Sequence, residues 1–170
     1  MKNILIFLLI VGAVYLVATS QHWNLGLGGS PPVIANPVYA VSRFRAELHD
    51  RTINLVALAK TFDRADCQSS SADVKDRMES HHYRDGELVW EFVSSECSSV
   101  LDSRDLKLFD NQPTFVNYVS ASPGASSERE VRLVFWGVTA QEGDLMCGEL
   151  PRLQDRWHGK VTCIHALASQ

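Results

Sequence analysis

The chain has no closely spaced pair of cysteines. Cys67, Cys97, Cys147 and Cys163 stand far apart along 170 residues, which excludes both tight zinc-knuckle spacing and a CxxC redox motif. Lys and Arg nowhere cluster, and a net charge of −4 with interspersed signs argues against a nucleic-acid or anionic-lipid surface. No Gly-x-Ser-x-Gly surrounds the serine-rich stretches at Ser69–Ser71, Ser94–Ser95 and Ser98–Ser99, so none of them sits in a nucleophile elbow. Gly26, Gly28 and Gly29 do not fall between a strand and a helix, which excludes a phosphate-binding loop. No residue pattern calls for a cofactor.

What is present begins with a membrane-directing segment. Met1-Lys2-Asn3 precede an unbroken apolar run from Ile4 to Ala18, through Leu8, Val11 and Tyr15, the order of a basic n-region and a hydrophobic h-region. Residues 1–20 are expected to act either as a signal peptide cleaved before Gln21 or as an uncleaved anchor extended to Trp23. Lys2 is the only cation before Arg43, which keeps the N-terminus in the cytoplasm and sends the remainder outside. The expected location is the periplasmic side of the inner membrane, or secretion if the segment is removed. Residues 21–37 are rich in Gly, Pro and Ser and read as a flexible linker.

Residues 38–170 suffice for one domain. Four exported cysteines are expected to form two disulfides. Alternation over Val38–Leu48 and then Ile53–Lys60 predicts a hairpin. Asp63–Met78 carries a Val74/Met78 pair at helical spacing, which predicts a helix. Leu88–Val93 reads as a strand with Cys97 just past its end, and Leu106–Phe109 as a short edge strand. Thr114–Ala121 and Glu130–Trp136 read as strands. Thr139 and Glu142 form a capping box opening a helix whose Met146, Leu150, Leu153 and Trp157 share one face, interrupted by Pro151. Val161, Cys163, His165 and Leu167 alternate along a last strand.

Aligning Val38–Asp66 with Val116–Asp144 at an offset of 78 gives eight identities, among them Arg51 with Arg129, Val56 with Val134 and Thr61 with Thr139. Such self-similarity suggests an internal duplication with halves 38–97 and 114–167. A shared helix-to-strand staple would join Cys67 to Cys97 and Cys147 to Cys163, one of three connectivities that spacing allows. The fold class expected is α+β: a two-layer sandwich of β-β-α-β units forming one mostly antiparallel sheet, with two helices on one face.

The polar chemistry favours no catalytic or metal site. His81-His82, with Glu79 or Asp85, lies in a polar turn without further ligands at recognisable spacing. His165 alternates with Cys163 and is expected in the core, whereas His158 sits in a turn without an obvious partner. Asp102, Asp105 and Asp110 accompany Arg104 and Lys107 in a connection. Trp90, Phe92, Phe135 and Trp136 are expected in the core rather than on a stacking platform. The function expected is a non-catalytic extracytoplasmic module, membrane-attached if its leader is retained, that binds a partner protein or a cell-wall component. The alternative is a small extracytoplasmic hydrolase using His81, His82 or the Asp102–Asp110 loop.

Overall fold

A computed structural model describes residues 30–31, 33–48, 51–80, 90–148, 154 and 157–167. The expected membrane-directing segment, most of the expected linker, His81 and His82, and residues 149–153, with Leu150, Pro151 and Leu153, lie outside the described residues. Among the described residues no helix is long and apolar enough to cross a membrane.

Two eleven-residue strands, β1 (Val38–Leu48) and β2 (Arg51–Thr61), pair antiparallel along their whole length. Helix α1 (Arg64–Ser80) follows, and β3 (Trp90–Ser98) returns to pair with β1. A short helix, α2 (Ser103–Phe109), leads to β4 (Tyr118–Ser122) and β5 (Val131–Trp136). Helix α3 (Ala140–Gly148) and β6 (Lys160–Ile164) complete the fold, with β6 pairing beside β4. The result is an α+β fold around one six-stranded antiparallel sheet of order β3-β1-β2-β5-β4-β6.

That order reads the same outward from its centre: a hairpin, then a strand that returns after a helix to flank the hairpin's first member. Val56 of β2 pairs with Val134 of β5 at the centre, and these are residues the 78-residue offset equates. The offset does not extend to the first strands. Arg43 faces Val56, whereas Tyr118 faces Val134, so β1 and β4 correspond at 75 residues. Val41 and Val119, matched in sequence, consequently lie in different core clusters on opposite faces.

Alternation sorts the apolar residues onto two faces. Phe44, Ala46, Ile53, Leu55, Leu133 and Phe135 pack with Val74 and Met78 of α1, Met146 of α3 and Trp157. The two longer helices thus share one face. The opposite face gathers Tyr39, Val41, Leu58, Tyr118 and Val134 under Leu108 and Phe109 of α2. Residues Leu106–Phe109 are therefore helical rather than an edge strand. Asp102 caps the helix, and burial of Leu108 and Phe109 anchors it. Trp136, expected in the core, is 47% exposed because it closes β5 on the side away from the longer helices.

Arg132 is fully buried beneath α2. Its guanidinium donates to the Leu108 carbonyl at 2.7 Å, the Phe109 carbonyl at 3.0 Å and the Glu130 carboxylate at 2.6 Å. It adds charged donors to the carbonyls at the end of α2, where intrahelical partners run out.

Candidate functional site

The disulfides join Cys67 to Cys97 and Cys147 to Cys163, each tying a helix to the strand that follows it. This is the pairing the internal alignment singles out, and two disulfides are consistent with an oxidising, extracytoplasmic setting. Cys97 lies within β3 rather than past its end. Cys67 is fully buried, whereas its partner Cys97 is half-buried, as are both Cys147 and Cys163.

The first disulfide closes one end of a groove of about 570 Å³ between α1 and β3. Arg64, Gln68, Ser71 and Lys75 form its helix wall, and Phe92, Ser95 and Cys97 its strand wall. The helix residues recur at spacings of four, three and four, which puts them on one side of α1. A second stripe, Cys67, Ser71, Val74 and Met78, is the buried face of the same helix. Ser71 belongs to both stripes. Its side chain is 94% buried, and among the described residues its hydroxyl has no hydrogen-bond partner. A buried hydroxyl left unpaired costs about 1–3 kcal/mol. The Lys75 ammonium lies 5.0 Å from the Phe92 ring centroid, and the Glu96 carboxylate beside the strand wall is held by Arg43 at 2.9 Å.

β3 is an edge strand, paired with β1 alone among the described residues. The β1–β3 register slips between Arg43 and Phe44, leaving Val93 as an extra residue opposite them and 54% exposed. Such a bulge interrupts an edge. The groove adjoins the regular stretch beyond it, Ser94–Ser98.

Apart from the Trp90 indole N–H, which is also buried without a partner, most other candidate polar groups among the described residues have structural roles. Asp102 accepts the Arg104 backbone N–H at 2.9 Å as the α2 cap, which holds its carboxyl below the ordinary range. Burial, reinforced by the Asp102 charge, pushes Asp105 up. Asp110 ends the same helix, so the three carboxylates span a helix from cap to cap and do not converge. His158 has a partner after all: the Glu128 carboxylate, 3.0 Å from its Nδ1. That carboxylate also accepts the backbone N–H groups of Gly124, Ala125, His158 and Gly159. Burial alone would push Glu128 up, but these donors outweigh it and hold the carboxyl below its ordinary value. They clamp two loops, in which Gly124 and Gly159 approach so closely that a side chain on either would strike the backbone opposite.

His165 lies past the end of β6 with its side chain 60% exposed, not in the core, and its Nδ1 is 3.6 Å from the Asp144 carboxylate. It stands close to Cys147 and Cys163, but those sulfurs are bonded to each other and offer no thiolate to a metal. A smaller cavity of about 250 Å³ is bordered by charged groups that have partners of opposite sign. Lys60 bonds Glu130 at 2.6 Å and Arg129 bonds Asp66 at 3.0 Å.

The groove was not read from the sequence, because a polar helix stripe looks the same whether it faces water or a cleft. The signal that could have found it is Ser71, a hydroxyl in the otherwise apolar Cys67/Val74/Met78 stripe. Compared with protein-family models, with curated proteins and with solved structures, the chain finds no match.

Proposed function

We propose that this protein is a non-catalytic module that works outside the cytoplasm and binds a partner protein through the α1–β3 groove. The observation that carries the reading is the groove itself: a polar, partly cationic channel beside a sheet edge that pairs with no further strand among the described residues, with a buried hydroxyl that nothing in the described protein uses. The two disulfides support an extracytoplasmic setting. The apolar Ile4–Ala18 run and the Gly/Pro/Ser stretch after it support attachment at the periplasmic side of a membrane, or secretion after cleavage.

Catalysis is the weaker reading because, among the described residues, Asp102, Asp105 and Asp110 do not converge and His158 is held by Glu128. Asp102 caps a helix and Glu128 clamps two loops. The test is co-purification of the full chain from detergent-solubilised membranes, with the protein at its native abundance. A stoichiometric protein partner that Arg64→Glu displaces supports the reading; a partner indifferent to groove substitutions, or none, contradicts it.

A further inference from the structure

The strand wall of the groove has a backbone phase that can be worked out. The Lys60 N–H donates to the Glu130 carbonyl at 2.9 Å, in register with the β2–β5 ladder that pairs Ala59 with Val131. Antiparallel ladders alternate bonded and non-bonded pairs, so even-numbered residues of β2 bond toward β5 and odd-numbered ones toward β1. Thr61 pairs with Val38 and Ala59 with Ala40; even-numbered residues of β1 therefore bond β2, and odd-numbered ones bond β3. Tyr39, Val41 and Arg43 face Ser98, Glu96 and Ser94. The N–H and C=O groups of Ser95 and Cys97 are left pointing away from the sheet, and both residues line the groove.

From this geometry we propose that an extended peptide segment of a partner protein enters the groove as a seventh strand, pairing its backbone with Ser95 and Cys97 and presenting a carboxylate to Arg64. The inference rests on the reading of the protein as a binding module and names what the module takes. Strand addition supplies affinity through main-chain bonds and specificity through alternate side chains. Here one side of the added strand would rest against α1, where the unpaired Ser71 hydroxyl offers a buried donor and acceptor. Arg64 and Lys75 make the helix wall cationic, whereas Glu96, the one acidic residue of the lining, is engaged by Arg43. The bulge at Val93 limits the regular edge to Ser94–Ser98, which sets the paired length at about five residues, or roughly 17 Å.

The probe is a random decapeptide display library panned on the full-length, oxidised protein, with enriched peptides titrated by fluorescence anisotropy. Enriched sequences should combine β-branched residues with Asp or Glu. Ser95→Pro removes the outward N–H at an edge position where proline is tolerated, and should weaken binding at least about tenfold, whereas Ser95→Ala should change it less than about twofold. Should Ser95→Pro fail to fold, the same question is put from the other side. N-methylation of alternate amides in an enriched peptide should abolish binding in one register and spare it in the other. Arg64→Glu should weaken acidic peptides at least about fivefold and favour lysine-substituted versions.

Peptide binding that survives both Ser95→Pro and N-methylation would overturn strand addition. So would a dimer of the free protein abolished by Ser95→Pro, which would make a second copy the occupant, or selective binding of glycan fragments in place of peptides. A co-purified partner insensitive to Ser95→Pro overturns this inference and leaves a binding module with another surface. Absence of both peptide and partner removes both readings.

Discussion

Arg51, the first residue of β2, bonds the Glu142 carboxylate in the first turn of α3, in the opposite half of the sheet. The relation is reciprocated. Arg129, just before β5, bonds Asp66 in the first turn of α1 through its Nε at 3.0 Å. Each half thus reaches across to the helix of the other. The carboxylates sit at helix N-termini, where negative charge is favoured in its own right, and Glu142 doubles as the capping-box partner of the Thr139 N–H at 2.7 Å.

These crossed pairs should couple the halves into one folding unit. In a double-mutant cycle, Arg51→Ala and Glu142→Ala are expected to show a coupling of about 1 kcal/mol, toward the upper end for partly exposed pairs. Urea melts in low and high salt would measure it. Two separate transitions in Arg51→Ala/Arg129→Ala would mean that the pairs hold the halves together; one cooperative transition with no coupling would mean that the β2–β5 ladder alone does so.

Glu128 should set part of the acid limit of stability. Its carboxyl is held low by backbone donors and the His158 ring despite burial. A group with a depressed folded pKa stabilises above its unfolded value, near 4.3. That contribution disappears as pH falls through the folded value. Glu142, held low against burial by Arg51 and Thr139, acts in the same direction. Glu128→Ala is expected to cost about 2–4 kcal/mol at pH 7, because buried N–H groups lose their acceptor. Glu128→Gln should flatten the decline of stability below about pH 5; a profile parallel to the parent's would place the effect in other carboxylates.

The disulfides should reduce one after the other. Cys147 and Cys163 are both half-buried, with the exposed His165 ring nearby, whereas the other link pairs a half-buried Cys97 with a fully buried Cys67. An attacking thiolate needs access to a sulfur, which the Cys147–Cys163 link offers at both ends and the other only at Cys97. Limited reduction followed by alkylation and peptide mapping is expected to label Cys147 and Cys163 first. Removing either link by paired Cys→Ser replacement should cost about 3–4 kcal/mol, slightly more for Cys67–Cys97, whose separation of 30 residues exceeds the 16 of the other. Simultaneous labelling of all four would show that access at Cys97 alone suffices, and would contradict this order.

Ser71 should trade stability for binding. Without ligand its hydroxyl is buried and unpaired, and alanine is the better helix former. Ser71→Ala is therefore expected to raise stability by about 0.5–1.5 kcal/mol while weakening peptide capture. A destabilised Ser71→Ala protein would mean that the hydroxyl already has a partner.

Much of this architecture was legible because hydrophobic period and turn chemistry are local. Val38–Leu48 alternates cleanly and forms β1, and Thr139 with Glu142 announces the start of α3. Elements governed by distant contacts were less legible. Leu106–Phe109 looks like a strand by composition, yet α2 forms because Asp102 caps it and because Arg132, more than twenty residues later, takes its terminal carbonyls. His165 alternates with Cys163 in sequence, but β6 ends at Ile164. Where a strand ends is decided by its neighbour, not by its own residues. The groove was the least legible feature, since it exists only where α1 meets β3. Arg64, Gln68 and Lys75 carry no mark that separates a cleft from solvent.

The central claim is that Ser95 and Cys97 are the edge at which a partner pairs. Amide hydrogen exchange of the full chain, alone and in the complex recovered from membranes, reads that edge directly. Free, these two amides should exchange fast while their neighbours Ser94 and Glu96, bonded to β1, are protected; in the complex they should slow by at least about tenfold. Unchanged exchange at Ser95 and Cys97, with new protection appearing at β6 or on α2 instead, would contradict the account.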